Sequence, residues 1–184
     1  MALPAAQDPA LVPALRAGDP GSFDAVYAAF RPRLYAYLLR CCQDGERARD
    51  LLQETWLRAA RATPRLRDDT RLAPWLFTIA RRVFLSERRW RRADLTRILL
   101  LGARPRAAAP SPLDDVLASE TQRRLEAALA GLPLAHREVL LLVGVEGFTP
   151  SEVAGILGIQ DDAARQRIAR ARAALAAAFE EDAP

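Results

Sequence analysis

The chain has 184 residues, is 51% hydrophobic and carries a net charge of +4 at neutral pH. That length accommodates one medium domain or two small ones, and so much apolar sequence excludes a wholly disordered chain. All 27 basic residues are arginine, and neither lysine nor asparagine occurs. A GC-rich coding bias accounts for both absences, so where the charge clusters says more than how much there is.

The opening "MALPAAQDPALVPALRAGDP" has neither a basic lead nor a continuous apolar stretch, which excludes a signal peptide. The longest apolar run, "VLLLVGV", is too short to cross a bilayer, so a cytoplasmic protein without membrane insertion is expected. Asp19-Pro20 opens a helix in which Phe23, Val26, Tyr27, Phe30, Leu34 and Leu38 form a broad apolar face, and Gln43-Asp44-Gly45 breaks it. The adjacent Cys41 and Cys42 suit neither an ordinary disulfide nor a zinc spacing, and the only histidine, His136, is distant. They read as buried thiols near a helix end. No metal site and no cofactor is expected. With no glycine-rich phosphate loop, nucleophile motif or placed histidine, the chain reads as a non-enzyme.

A second helix, about 46–62, carries Asp50, Gln53 and Glu54 at three- and four-residue steps. They make one acidic-polar edge, opposite Leu51, Thr55 and Leu57. Such an edge suits a basic partner surface, or is simply solvated. "TPRLRDDTRLAP" reads as a polar loop, after which Pro74 starts a third helix. There Trp75, Ile79 and Val83 form one apolar row, and Phe77 and Phe84 lie nearly opposite, as in a helix packed between neighbours. Between them runs a basic side of Arg81, Arg88 and Arg92, with Arg82 and Arg89 beside it. Rings stack on bases while guanidinium groups hold phosphates, so this mixture suits nucleic acid; a plain basic solvent face is the alternative. Glycine, prolines and alanines after about residue 95 read as a linker, whose apolar segment Ile98 to Ala103 is expected to be covered by a partner.

Two further helices are expected near 114–130 and 134–145. In the next one Thr149, Pro150 and Glu152 form a capping box with proline at the first helical position. Gly158 supplies a turn, and a last helix starts near Asp161 or Asp162. Ala164, Ile168, Ala171 and Leu175 recur as its buried stripe. Gln166, Ala169 and Arg170 then face away, flanked by Arg165, Arg172 and Arg167. This is a helix-turn-helix. A major groove admits such a helix, arginine pairs with guanine and glutamine with adenine; a salt-bridged surface helix is the alternative.

Four segments in order, "DLLQETWLRA", "PWLFTIARRV", "LAGLPLAHREVLLLVGVEGFTPSEVAGILGI" and "ARQRIARARAAL", resemble the extracytoplasmic-function (ECF) sigma factors of bacterial RNA polymerase. The resemblance implies an all-α fold of two small helical domains joined by a flexible linker. Residues 10–94 would correspond to sigma region 2, 95–113 to the linker, and 114–180 to the region 4 helix-turn-helix. It further implies core RNA polymerase and promoter DNA as partners, and commonly a cognate anti-sigma factor. Asp50, Gln53 and Glu54 would bind core polymerase. Leu66, Arg67, Asp68 and Asp69 of the loop, with Arg82 and Ser86 of the third helix, would hold the single-stranded −10 element. Arg165, Gln166, Ala169 and Arg170 would read the duplex −35 element. Leu66 stands where the family often has an aromatic residue, Asp68 where glycine is frequent, Arg82 where asparagine is usual, and Ser86 where asparagine or aspartate is usual. Asp162 and Ala163 replace a frequent glycine-threonine, and Val143 an arginine often aimed at the DNA backbone. A stand-alone helix-turn-helix regulator is the competing reading; it predicts a dimer, and no heptad seam is visible.

Overall fold

The computed structural model describes residues 10–100 and 119–181, without the side chains of 94–100 and 181. Among them every regular element is helical. No described helix is long and apolar enough to cross a membrane. The chain divides into two compact units.

The N-terminal unit begins with a helix the sequence did not reveal, α1 (Leu11–Arg16). It is one and a half turns long and contains Pro13, so no period of 3.6 can be read from it. Burial of Val12 and Leu15 holds it in place. The expected cap at Asp19 starts α2 (Pro20–Cys42): its carboxylate accepts the Ser22 amide at 2.7 Å. Gln43 ends α2 in the left-handed region at φ 57°, and Asp44 caps α3 (Gly45–Ala62) through the Arg47 amide. The core contains Phe30, Leu34 and Leu38 of α2, Leu51, Thr55 and Trp56 of α3, and Leu76, Phe77 and Phe84 of the next long helix.

One side-chain expectation is corrected. Leu57 is not on the inner side of α3 but 46% exposed, because the buried stripe runs Ala48, Leu51, Leu52, Thr55, Trp56, Ala59 and leaves position 57 off its edge. Phe23 and Tyr27 continue the apolar face of α2 beyond the core: Tyr27 is 38% exposed, and both rings lean on Trp56, at centroid distances of 5.9 and 4.8 Å.

The third long helix, α4 (Leu72–Leu100), starts at Leu72 rather than Pro74. A proline in the first turn costs nothing, since its missing N–H would have no intrahelical partner, and the Arg71 carbonyl accepts the Trp75 amide at 3.1 Å. The helix also runs into the stretch assigned to the linker, which has no glycine or proline before Gly102. The rest of that stretch, including Ala103, lies outside the described residues. Arg47 locks α3 to α4 with a bidentate pair to Glu87, at 3.0 and 2.6 Å.

In the C-terminal unit Ser119 caps α5 (Glu120–Gly131), and the expected residues 114–118 lie outside the described ones. α6 (Leu134–Leu140) passes directly into a single wide π turn, Leu141–Val145. Arg137, 8% exposed, donates to the carbonyls of Ala130 and Leu132 at 2.8 and 2.9 Å and so fastens the end of α5 to α6. The capping box of α7 (Pro150–Leu157) forms in both directions between Thr149 and Glu152. Gly158 ends α7 at φ 67°, a conformation costly for other residues. α8 (Asp161–Glu181) follows; Ala164, Ile168 and Ala171 are buried and Leu175 half-buried, as the spacing predicted. Near its far end the Phe179 carbonyl accepts from Arg124 at 3.2 Å, and the same guanidinium lies 4.9 Å from the Phe179 ring centre. Of the terminal acidic run, Glu180 and Glu181 belong to α8, and residues 182–184 lie outside the described ones.

Candidate nucleic-acid and polymerase interfaces

The helix-turn-helix presents its polar face as the period requires. Arg165, Gln166, Ala169, Arg170 and Arg172 are exposed, and Arg167 is half-buried. One of these arginines is engaged: Arg165 donates to Asp162 at 2.6 Å, with the Asp162 side chain 86% exposed. That hydrogen bond, reinforced by the carboxylate charge, raises the pKa of the guanidinium further. Among the described residues no ion pair involves Arg170. Val143, in the π turn, is half-buried, so the surface where the family often has a cation is apolar here.

The loop before α4 is less open. Leu66 is 5% exposed, its side chain folded into the core. It anchors the loop. Beyond it the turn closes on itself: the Arg67 amide donates to the Thr70 hydroxyl at 3.0 Å and the Thr70 amide to the Arg67 carbonyl at 2.9 Å. Both carboxylates are paired, Asp69 with Arg67 at 3.1 Å and Asp68 with Arg16 at 2.8 Å.

On α4, Arg82 is exposed and Ser86 half-buried. Arg82, Leu85, Arg88, Arg89 and Arg92 line a groove of about 280 Å³. Its walls are charged and its floor apolar, which can hold phosphates and lean on sugar or base edges. Trp90 is 67% exposed at the same end of the helix. Sequence reasoning grouped the arginines but passed over Trp90, although the run "RRWRR" was the signal.

The third surface lies on α3. Asp50 and Gln53 are exposed and Glu54 is half-buried, paired with Arg58 at 2.6 Å. Gln53 also lines an open apolar groove of about 520 Å³ between α2 and α3, with Tyr27, Trp56 and Leu57 in its wall and Arg31 and Arg49 at its edge. The polar edge and the apolar groove are thus continuous. An indole N–H in that wall, on Trp56, is buried without a hydrogen-bond acceptor.

Cys41 is buried and Cys42 half-buried, and neither is in a disulfide. Burial raises the Cys42 thiol pKa, and its sulfur donates to the Asp44 carbonyl at 3.2 Å. Among the described residues no group of three or more His, Cys, Asp and Glu side chains could hold a metal.

Comparison with known proteins agrees with this geometry. The family model for sigma-70 region 2 matches residues 26–94, and that for sigma-70 region 4 matches residues 122–175. The RNA polymerase sigma factor CarQ of Myxococcus xanthus is 36% identical over 156 residues, covering 84% of this chain and 87% of its own. The ECF RNA polymerase sigma factor SigL of Mycobacterium tuberculosis is 32% identical over 160 residues, covering 85% and 88%. Among solved structures, the sigma factor RpoE of Bartonella quintana, in complex with the anti-sigma factor NepR, superposes with a TM-score of 0.73 at 27% identity, covering 88% of this chain and 98% of its own. CnrH, in complex with the cytosolic domain of CnrY, shares the fold with a TM-score of 0.71 at 24% identity, covering 96% and 99%.

Proposed function

We propose a division of labour for this chain, which belongs to the ECF family of RNA polymerase sigma factors. A sigma factor binds core polymerase and directs initiation at promoters, and membership sets aside the stand-alone regulator. In our reading residues 10–94 hold core polymerase and the −10 element, 114–180 read the −35 element, and 95–113 tether them. The chain acts in the cytoplasm, without catalysis of its own.

The observation that carries the division is the presence of two separate arginine-bearing surfaces, α4 and α8, on two compact units. Promoter elements more than one helical turn of DNA apart, about 34 Å, lie beyond the reach of one such unit. On α8, Arg165, Gln166 and Arg170 contact base edges, and Ala169 lets the backbone approach. On the N-terminal unit Arg67, Asp68 and Asp69 form the rim that receives the separated strand. Arg82 and Ser86 follow it along α4, and Leu66 supports the loop from beneath. Asp50, Gln53 and Glu54 form the polar border of the polymerase contact, and the adjoining groove of Tyr27, Trp56 and Leu57 takes apolar side chains from the same partner.

An anti-sigma factor belongs to this reading, supported by the complex in which the Bartonella relative was solved. The test of the whole is run-off transcription by core polymerase over a genomic fragment library, with and without the full chain. New start sites that share two spaced elements are expected. Identical start sites in both reactions would refute the reading. Replacing Glu54 by alanine should weaken polymerase binding and leave −35 recognition intact; the reverse outcome would exchange the two faces.

A further inference from the structure

We infer that α1 takes part in promoter opening, with Arg16 as a positioning residue for the loop that receives the −10 strand. This rests on the assignment of residues 66–69 to strand capture made above. The family model for region 2 begins at residue 26, so α1 lies outside the matched segment.

Arg16 stands at the last turn of α1, fixed in position by the burial of Val12 and Leu15 just before it. From there one nitrogen, Nη1, reaches two points on the loop. It lies 2.8 Å from Asp68 Oδ1 and donates to the Leu66 carbonyl at 3.4 Å. These contacts link segments fifty residues apart in the chain. The loop has an evident need for them. Asp68 and Asp69 stand side by side on a surface meant for a polyanion, with side chains 74% and 73% exposed. Arg67 answers Asp69 from within the loop, whereas the cation that answers Asp68 comes from α1.

Removing Arg16 therefore does two things. Asp68 confronts the incoming phosphates without its counter-charge, and the Leu66 carbonyl loses its donor where the chain turns from core to surface. The ion pair itself is half-exposed and contributes little to folding. Its effect falls on the fit of the loop to the strand, a specificity-determining role that folding measurements alone would miss.

The experiment uses the full chain with core polymerase on a promoter recovered by the run-off selection. Opening is read as permanganate reactivity of unpaired thymines, closed-complex binding as footprinting at the −35 element, and core binding by fluorescence anisotropy. Arg16→Ala is expected to lower opening by about three- to tenfold, on the order of 1 kcal/mol, with core binding and −35 protection unchanged. In an Asp68→Asn background the same replacement should cost less than about twofold, since the charge it answers is gone. Unchanged opening in Arg16→Ala overturns the inference. So does an undiminished loss in the Asp68→Asn background, which would mean that Arg16 touches the strand itself, and so does a parallel fall in core binding. A wild-type chain that opens no promoter refutes the sigma reading and this inference together.

Discussion

The two DNA-facing regions are built on opposite principles. The helix-turn-helix presents side chains from a long helix whose start follows a left-handed glycine and whose far end is held by Arg124. Its proposed reading residues stand in solvent, and only Arg165 among them is paired within the described residues. The proposed −10 region instead relies on a short loop in which every carboxylate is already answered and the first residue is buried. Rigid backbone with unpaired cations suits a duplex of fixed shape. A loop whose carboxylates are answered by nearby cations suits a single strand that is selected after the duplex opens, since its phosphates meet no bare negative charge. The difference teaches that the net charge of a DNA-binding region says little about which form of DNA it meets.

The comparison can be broken at several levels. The largest effect tests whether the units stand independently. All three tryptophans lie in the N-terminal unit, so their fluorescence reports on that unit alone, while circular dichroism reports on both. Phe77→Ala should destabilise the N-terminal unit by about 3–5 kcal/mol and shift the fluorescence transition, leaving a later helical melt in place. A single shifted transition in both signals would show that the units unfold together. Conversely, Arg137→Ala strips two carbonyls of their donor and should cost about 1–3 kcal/mol, seen in circular dichroism but not in fluorescence.

Recognition itself comes next. Arg170→Ala should cost about 1–3 kcal/mol at the −35 element and relax preference at one base position, measured with a randomised −35 library. A uniform loss at all sequences would make Arg170 a phosphate contact instead. The smallest effect concerns Asp162, which occupies Arg165 and sets a negative charge beside the recognition helix. Asp162→Ala should tighten −35 binding and steepen its salt dependence by about one unit in the logarithmic slope, as one more phosphate contact forms. An unchanged slope would show that Arg165 already leaves Asp162 for the DNA.

Much of this was legible in sequence because it depends on local chemistry. The Thr149–Glu152 box, the turn at Gly158 and the Ala164–Ile168–Ala171 stripe each follow from neighbours within four residues. What escaped notice depends on partners beyond the local helical turn. Arg16 gains meaning only from a loop fifty residues on, and Arg137 only from two carbonyls in the preceding turn. Leu66 was aligned with a base contact on the strength of its place in the loop, but an aliphatic side chain at the mouth of a core folds inward. Leu57 sits off the buried stripe because helical period gives an apolar direction and cannot say where the neighbouring helix stops.

The π turn at Leu141–Val145 has a consequence for how this chain can change over time. A wide turn absorbs one residue more than an ordinary helix would over the same rise, and each residue advances a helix by about 100°. A one-residue change in chain length at this point can therefore be taken up locally, by the gain or loss of the wide turn. Gly144 has open space where a side chain would stand, so mutation to alanine should pass almost unnoticed. Its deletion would return the segment to ordinary α-helical winding and leave the recognition helix facing as it does now.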